Sequence, residues 1–193
     1  MTALSLNTKQ KYGSLLAGNA YYHTEYESIA TVSVGSGGVS SIQFTSIPST
    51  YTHLQIRCFA RTARTGQNGD FLKTTFNSDT ASNYSWHLTV ADGASTGLAT
   101  GVSVAYMEAD RFSTASASSN IFGVSIIDIL DYADTNKYKT MRWIGGYDNN
   151  GSGEIQFGSG NWRSTSAVTS ITLSQSGAYN INQYSHFALY GIK

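Results

Sequence analysis

Between residues 51 and 61 apolar and polar side chains alternate with a period of two. Leu54, Ile56, Cys58 and Ala60 fall on one face, and His53, Gln55, Arg57 and Phe59 on the other. Successive residues of a strand point to opposite faces, so this is the pattern of a half-buried β-strand; a helix would repeat its apolar positions every three to four residues. Short runs of the same kind fill much of the chain. Ile29, Val32 and Val34 lead into Gly35-Ser36-Gly37-Gly38 and then Val39, Ile42 and Phe44, a hairpin signal with a glycine loop. The sole proline, Pro48, marks a loop. Further strands are expected at 70–77, 84–90, 154–157, 168–173 and 185–192, and a hairpin of 121–130 with 138–144 across 131–137. Residues 91–119, rich in Ala, Ser, Thr and Gly, offer one short strand at 102–107. Ten or eleven strands without βαβ spacing predict an all-β fold, an antiparallel two-sheet sandwich of jelly-roll type.

The first residues break this pattern. Residues 1–27 show no strand alternation, and glycines flank a short helix candidate at 13–17. They are read as an extended N-terminal arm ahead of a domain at 28–193. The arm's apolar and aromatic residues Leu4, Leu6, Tyr12, Leu15, Leu16, Tyr21 and Tyr22 are its candidate partner-binding residues. The arm lacks the 7–15-residue apolar stretch of a secretory signal, and no segment nears the ~20 apolar residues of a bilayer span. No membrane partner is expected. Cys58 is the only cysteine and lies in an alternating strand, so it reads as a small buried hydrophobe in a protein made under reducing conditions.

Charge narrows the functions further. Charged residues are 12% of the chain, about half the usual share, and twelve basic residues balance twelve acidic ones. That excludes the clustered basic footprint of a nucleic-acid binder. His23, His53, His87 and His186 sit in separate segments without metal-ligand spacing, and no nucleophile elbow, H-E-x-x-H or P-loop occurs. Asp128, Asp131 and Asp134 miss the calcium-loop spacing, and the last two fall in the expected turn, where Asp is locally favoured. The loop beginning Asp148-Asn149-Asn150-Gly151 is read as a turn for the same reason. No enzyme, cofactor or metal is expected. Aromatics are the remaining candidates: Trp86 and Trp162 could contact a glycan or a subunit, while Trp143 shares strand parity with Met141 and reads as core. Arg57 and Arg61 share parity on one strand and could line an interface.

Several longer runs carry a resemblance. They are 42–57 (IQFTSIPSTYTHLQIR), Phe76-Asn77-Ser78-Asp79 with Asn83-Tyr84-Ser85-Trp86-His87, 126–132 (IIDILDY), 162–171 (WRSTSAVTSI) and the ending 187–193 (FALYGIK). In these runs, which span most of 28–193, the chain resembles a group of virion structural proteins of tailed bacteriophages. The resemblance implies a non-enzymatic virion component made in the host cytoplasm. Within a virion, a capsid decoration (cement) protein is favoured, its sandwich on the shell and its arm on neighbouring subunits. Its partners would be the major capsid protein and copies of itself, a trimer before a dimer. The alternative is a tail-fibre or head-fibre module that binds host surface carbohydrate, but 193 residues without heptads or repeats leave little room for a trimerising shaft. A polysaccharide-degrading enzyme would need paired carboxylates, and many of the twelve acidic residues fall at expected turns.

Overall fold

The computed structural model describes residues 25–177 and 179–193, which form twelve strands and no helix. In chain order they are β1 (Tyr26–Ser33), β2 (Ser41–Phe44), β3 (His53–Thr62), β4 (Gly69–Phe76), β5 (Tyr84–Ala91) and β6 (Thr96–Val104), then β7 (Met107–Thr114), β8 (Gly123–Leu130), β9 (Lys139–Asp148), β10 (Gly153–Trp162), β11 (Ile171–Gln175) and β12 (His186–Ile192). The fold is all-β, as the alternation predicts. One antiparallel run has the order β1-β12-β3-β8-β9-β10-β5-β6. A second, β2-β11-β4-β7, is also antiparallel. A short parallel pairing joins them, Arg61 with Ser113 and Thr62 with Thr114. The hydrogen-bonded path is therefore one open mixed sheet, and the expectation of purely antiparallel pairing is corrected at this seam.

The interior follows the period of two. Leu54, Ile56, Cys58 and Ala60 of β3 are buried together with Ile127 and Ile129 of β8, Met141 and Trp143 of β9, and Phe187 and Leu189 of β12. Strand β7 lies across the inner side of β8, β9 and β10, and three glycines make room for it. A Cβ on Gly123 would stand 2.9 Å from Phe112 Cα, one on Gly145 1.7 Å from Asp110 Oδ2, and one on Gly160 2.7 Å from Met107 Sδ.

The sequence reading fails at the glycine-loop hairpin, because β1 pairs with β12 and β2 with β11 instead of with each other, and it fails again at residues 91–119. Two strands occupy this stretch, and the expected strand at 102–107 straddles the turn between them. In β7 the polar side chains of Asp110, Ser113 and Thr114 are buried beside Met107, Ala109 and Phe112, which erases the alternation. The β8–β9 hairpin forms where expected, and the expected turn at 148–151 closes a second hairpin, β9–β10. The second closes through Asn150 (φ 56°) and Gly151 (φ 92°). Positive φ at both positions marks the type I′ turn that suits strand twist and that Asn-Gly supplies. The folded unit begins earlier than residue 28, because Tyr26 and Glu27 already pair with Ile192 and Gly191. The arm residues Leu4, Leu6, Tyr12, Leu15, Leu16, Tyr21 and Tyr22, and the helix candidate at 13–17, lie outside the described residues.

Candidate interaction surface

Strand pairing sets the outer face of β3, β8, β9 and β10 as cross-strand rows. One row runs Phe59, Val124, Gly146, Ile155; the next runs Arg57, Ile126, Ile144, Phe157 and ends on Leu98 of β6 through Thr89. Phe59, Val124, Ile126, Ile144, Ile155 and Phe157 retain between 42% and 57% of their surface. At the ~150–250 Å² of a large side chain this is on the order of 500 Å² of apolar area. It is contiguous because neighbouring strands lie only ~4.8 Å apart. A patch of this size is about the largest that a typical monomer exposes, and such patches are often functional. A stacked pair, Phe59 on Phe122 at 4.7 Å and 10°, closes one end. A groove of about 850 Å³ crosses the face between Arg57, Phe122, Ile126, Ile144 and Ile155.

A polar row borders the apolar ones. The Arg57 guanidinium lies between the rings of Tyr26 and Tyr190, at 5.5 and 5.4 Å from their centroids. Arg57 Nε donates to Gln55 Oε1 at 2.9 Å, Gln55 Nε2 to Asp128 Oδ1 at 2.8 Å, and Arg142 Nε to Asp128 Oδ2 at 3.1 Å. The chain of bonds fixes the orientation of two cations and one anion beside hydrocarbon.

Strand β10 explains how apolar groups come to face outward. Its alternation is inverted: Ile155 and Phe157 point out while Gln156, Gly158 and Gly160 point in. The inner space is already filled, since a Cβ on Gly158 would fall 2.1 Å from Trp143 Cζ2 and one on Gly160 meets Met107.

A second concavity, about 460 Å³, lies where three turns meet: 35–38, 118–121 and 182–185. Its lining includes Asn120, Phe122, Asn182, Gln183 and Tyr184. Tyr184 is 74% exposed and holds φ 71°, a conformation unfavourable for a bulky side chain.

The candidate residues separate sharply. Arg57 belongs to the outer face. Arg61 instead clamps a loop, its guanidinium donating to the carbonyls of Ser118 and Ile121 at 2.8 Å each and of Ala117 at 2.9 Å. Trp86 and Trp162, proposed from the sequence as contact residues, are 8% and 3% exposed and belong to the core. Trp162 packs against Phe76 and Tyr84 and donates Nε1–H to Asp79 Oδ2 at 2.7 Å. That bond, after one from Asn83, holds the Asp79 carboxyl below its usual range. Trp143 is buried, as strand parity indicates. The 131–137 turn is occupied by an internal cation: Lys137 Nζ lies 2.7 Å from Asp131 Oδ2 and 3.2 Å from Asp134 Oδ2. Among the described residues no three His, Cys, Asp or Glu side chains converge as metal ligands do. The apolar outer face was not foreseen, although Val124 and Ile126 beside Ile127 and Ile129 make β8 apolar on both parities, the signal of a strand covered on two sides. No family model matches the chain, and neither the curated proteins nor the solved structures contain a match.

Proposed function

We propose that this protein is a non-enzymatic structural component of a tailed bacteriophage virion, acting as a capsid decoration protein that assembles through its outer sheet face. The observation that carries the assembly reading is the contiguous apolar stripe on β3, β8, β9 and β10, which a solvated antiparallel face would replace with polar residues. The virion assignment rests on the resemblance of the sequence runs described above. In this reading the two antiparallel runs are the layers of a jelly-roll-like sandwich on the shell, and the residues ahead of β1 reach neighbouring subunits. Partners are the major capsid protein and further copies of this chain. Quantitative mass spectrometry of purified particles tests it. Hundreds of copies per virion are expected, and a handful would exclude decoration.

One observation favours a second reading, a fibre module that binds host carbohydrate. Tyr184 stands exposed at a strained turn position beside the amides of Asn182 and Gln183. Strain of this kind is often held for function, and an aromatic ring with amide donors suits a neutral sugar. Glycan-array binding abolished by Tyr184→Ala would favour this reading; an array on which the wild type is silent would remove it.

A further inference from the structure

We infer that the outer face is covered by a second copy of this chain, related by a two-fold axis that lies in the face and runs along the strands between β8 and β9. This rests on the reading of the face as an interface and is independent of the virion assignment. A two-fold contact must be self-complementary, each patch meeting its own copy. With the axis between β8 and β9, every cross-strand row meets itself in reverse order.

The register makes each of the three rows complementary under that operation. In the polar row, Asp128 of one copy faces Arg142 of the other, and Arg142 faces Asp128, so two ion pairs form from the pair each copy already holds at 3.1 Å. In the middle row, Ile126 faces Ile144, and Arg57 faces the ring of Phe157, a cation on an aromatic face. In the third row, Phe59 faces Ile155, and Val124 lies over Gly146, which presents backbone and no side chain to it. No like charges meet in these rows. A two-fold axis along the rows would set Phe59 and Val124 against Gln55 and Asp128, burying a carboxylate against hydrocarbon. A three-fold association needs two different patches that fit each other, whereas this face fits itself. The ~500 Å² of apolar surface together with the polar row approaches the ~800 Å² that each partner buries in a stable complex.

Light scattering on the full chain after size exclusion is expected to give twice the 20.8 kDa chain mass. Ile144→Asp and, separately, Ile155→Asp should yield monomers with an unchanged far-ultraviolet spectrum, since both side chains are about half exposed in the single chain. Asp128→Arg should weaken the dimer about tenfold or more by facing two arginines, and the exchange Asp128→Arg with Arg142→Asp should restore it to within about threefold. A monomeric wild type overturns the inference. If deletion of residues 1–24 then produces a dimer, the occupant of the face is that segment. A dimer that survives both aspartate variants also overturns it, and an exchange variant as weak as Asp128→Arg overturns the axis. None of these results changes the copy number in the virion, so the inference and the decoration reading fail separately.

Discussion

Asp110 provides the sharpest test of how β7 is held under the sheet. Its side chain is fully buried, and Oδ2 has no hydrogen-bond partner among the described residues. Oδ2 and the Val124 carbonyl oxygen crowd the point where a Cβ on Gly145 would stand, so the two oxygens lie side by side. Burial pushes the carboxyl up to about 7, only partly offset by nearby Ser125 and by the Arg111 amide, which donates to Oδ1 at 2.7 Å. The Glu154 carboxylate pushes it in the same direction as burial. In the unfolded chain the group titrates near ~3.9. The native protein therefore holds this proton more tightly, and the stability that the protonated form contributes is present in acid and lost as pH rises toward 7. Three pH units correspond to about 4 kcal/mol in all, of which about 3 kcal/mol is lost between pH 5 and pH 8. Asp110→Asn keeps the shape and the Oδ1 acceptor but removes the ionisation. Urea denaturation at pH 5 and pH 8 should show the wild type losing about 3 kcal/mol more than the variant over that interval. Glu108, whose carboxyl burial also raises, stays in both proteins and cancels in the difference. Equal pH slopes in the two proteins would refute the assignment of a buried, proton-dependent Asp110.

Two further predictions probe the interior. Asp70 is fully buried and accepts bonds from Arg64 Nη1 at 2.9 Å, Thr62 Oγ1 at 3.1 Å and Ser176 Oγ at 2.6 Å. Arg64→Ala should cost about 2 kcal/mol in chemical denaturation, less than the ~3–5 of a fully buried pair because the arginine is partly exposed, and Asp70→Asn in that background should recover part of it. Gly158→Ala pushes a methyl into the rigid Trp143 ring and should lower stability by about 2–3 kcal/mol. Gly160→Ala meets the flexible Met107 side chain and should cost about 1 kcal/mol or less; the reverse order in thermal melting would show that Trp143 does not fill the space inside β10.

How much of this was legible in the sequence depended on whether side-chain polarity followed burial. In β3 it did: the inward residues are Leu54, Ile56, Cys58 and Ala60, and strand and facing were both readable. The β9–β10 turn was readable because Asn150-Gly151 supplies two positive-φ residues in sequence. In β7 polarity misleads, since Asp110, Ser113 and Thr114 are interior. Their partners come from distant segments: Ser113 Oγ donates to the Ile121 carbonyl at 2.6 Å, and Thr114 Oγ1 to the Gln67 carbonyl. Nothing local in the sequence announces such bonds. Trp162 misleads in the opposite sense, because an indole N–H that finds Asp79 across the chain is as well placed in the core as at a surface.

Strand β10 joins both kinds of misreading into one argument about function. Its apolar residues Ile155 and Phe157 would be assigned inward by pattern alone, yet the inner positions are Gln156, Gly158 and Gly160. Gly158 and Gly160 are required there because Trp143 and Met107 already occupy the space their side chains would fill. That accounts for the inside of the strand and leaves the outside unexplained. Filling the core places no demand on the outward parity, and a solvated face would carry polar residues there. Three neighbouring strands nevertheless repeat the choice at matched register, with Phe59 on β3, Val124 and Ile126 on β8, and Ile144 on β9. Apolar residues aligned across four strands, beside an Asp128–Arg142 pair whose two-fold image is complementary to itself, are what a sheet covered on both sides requires.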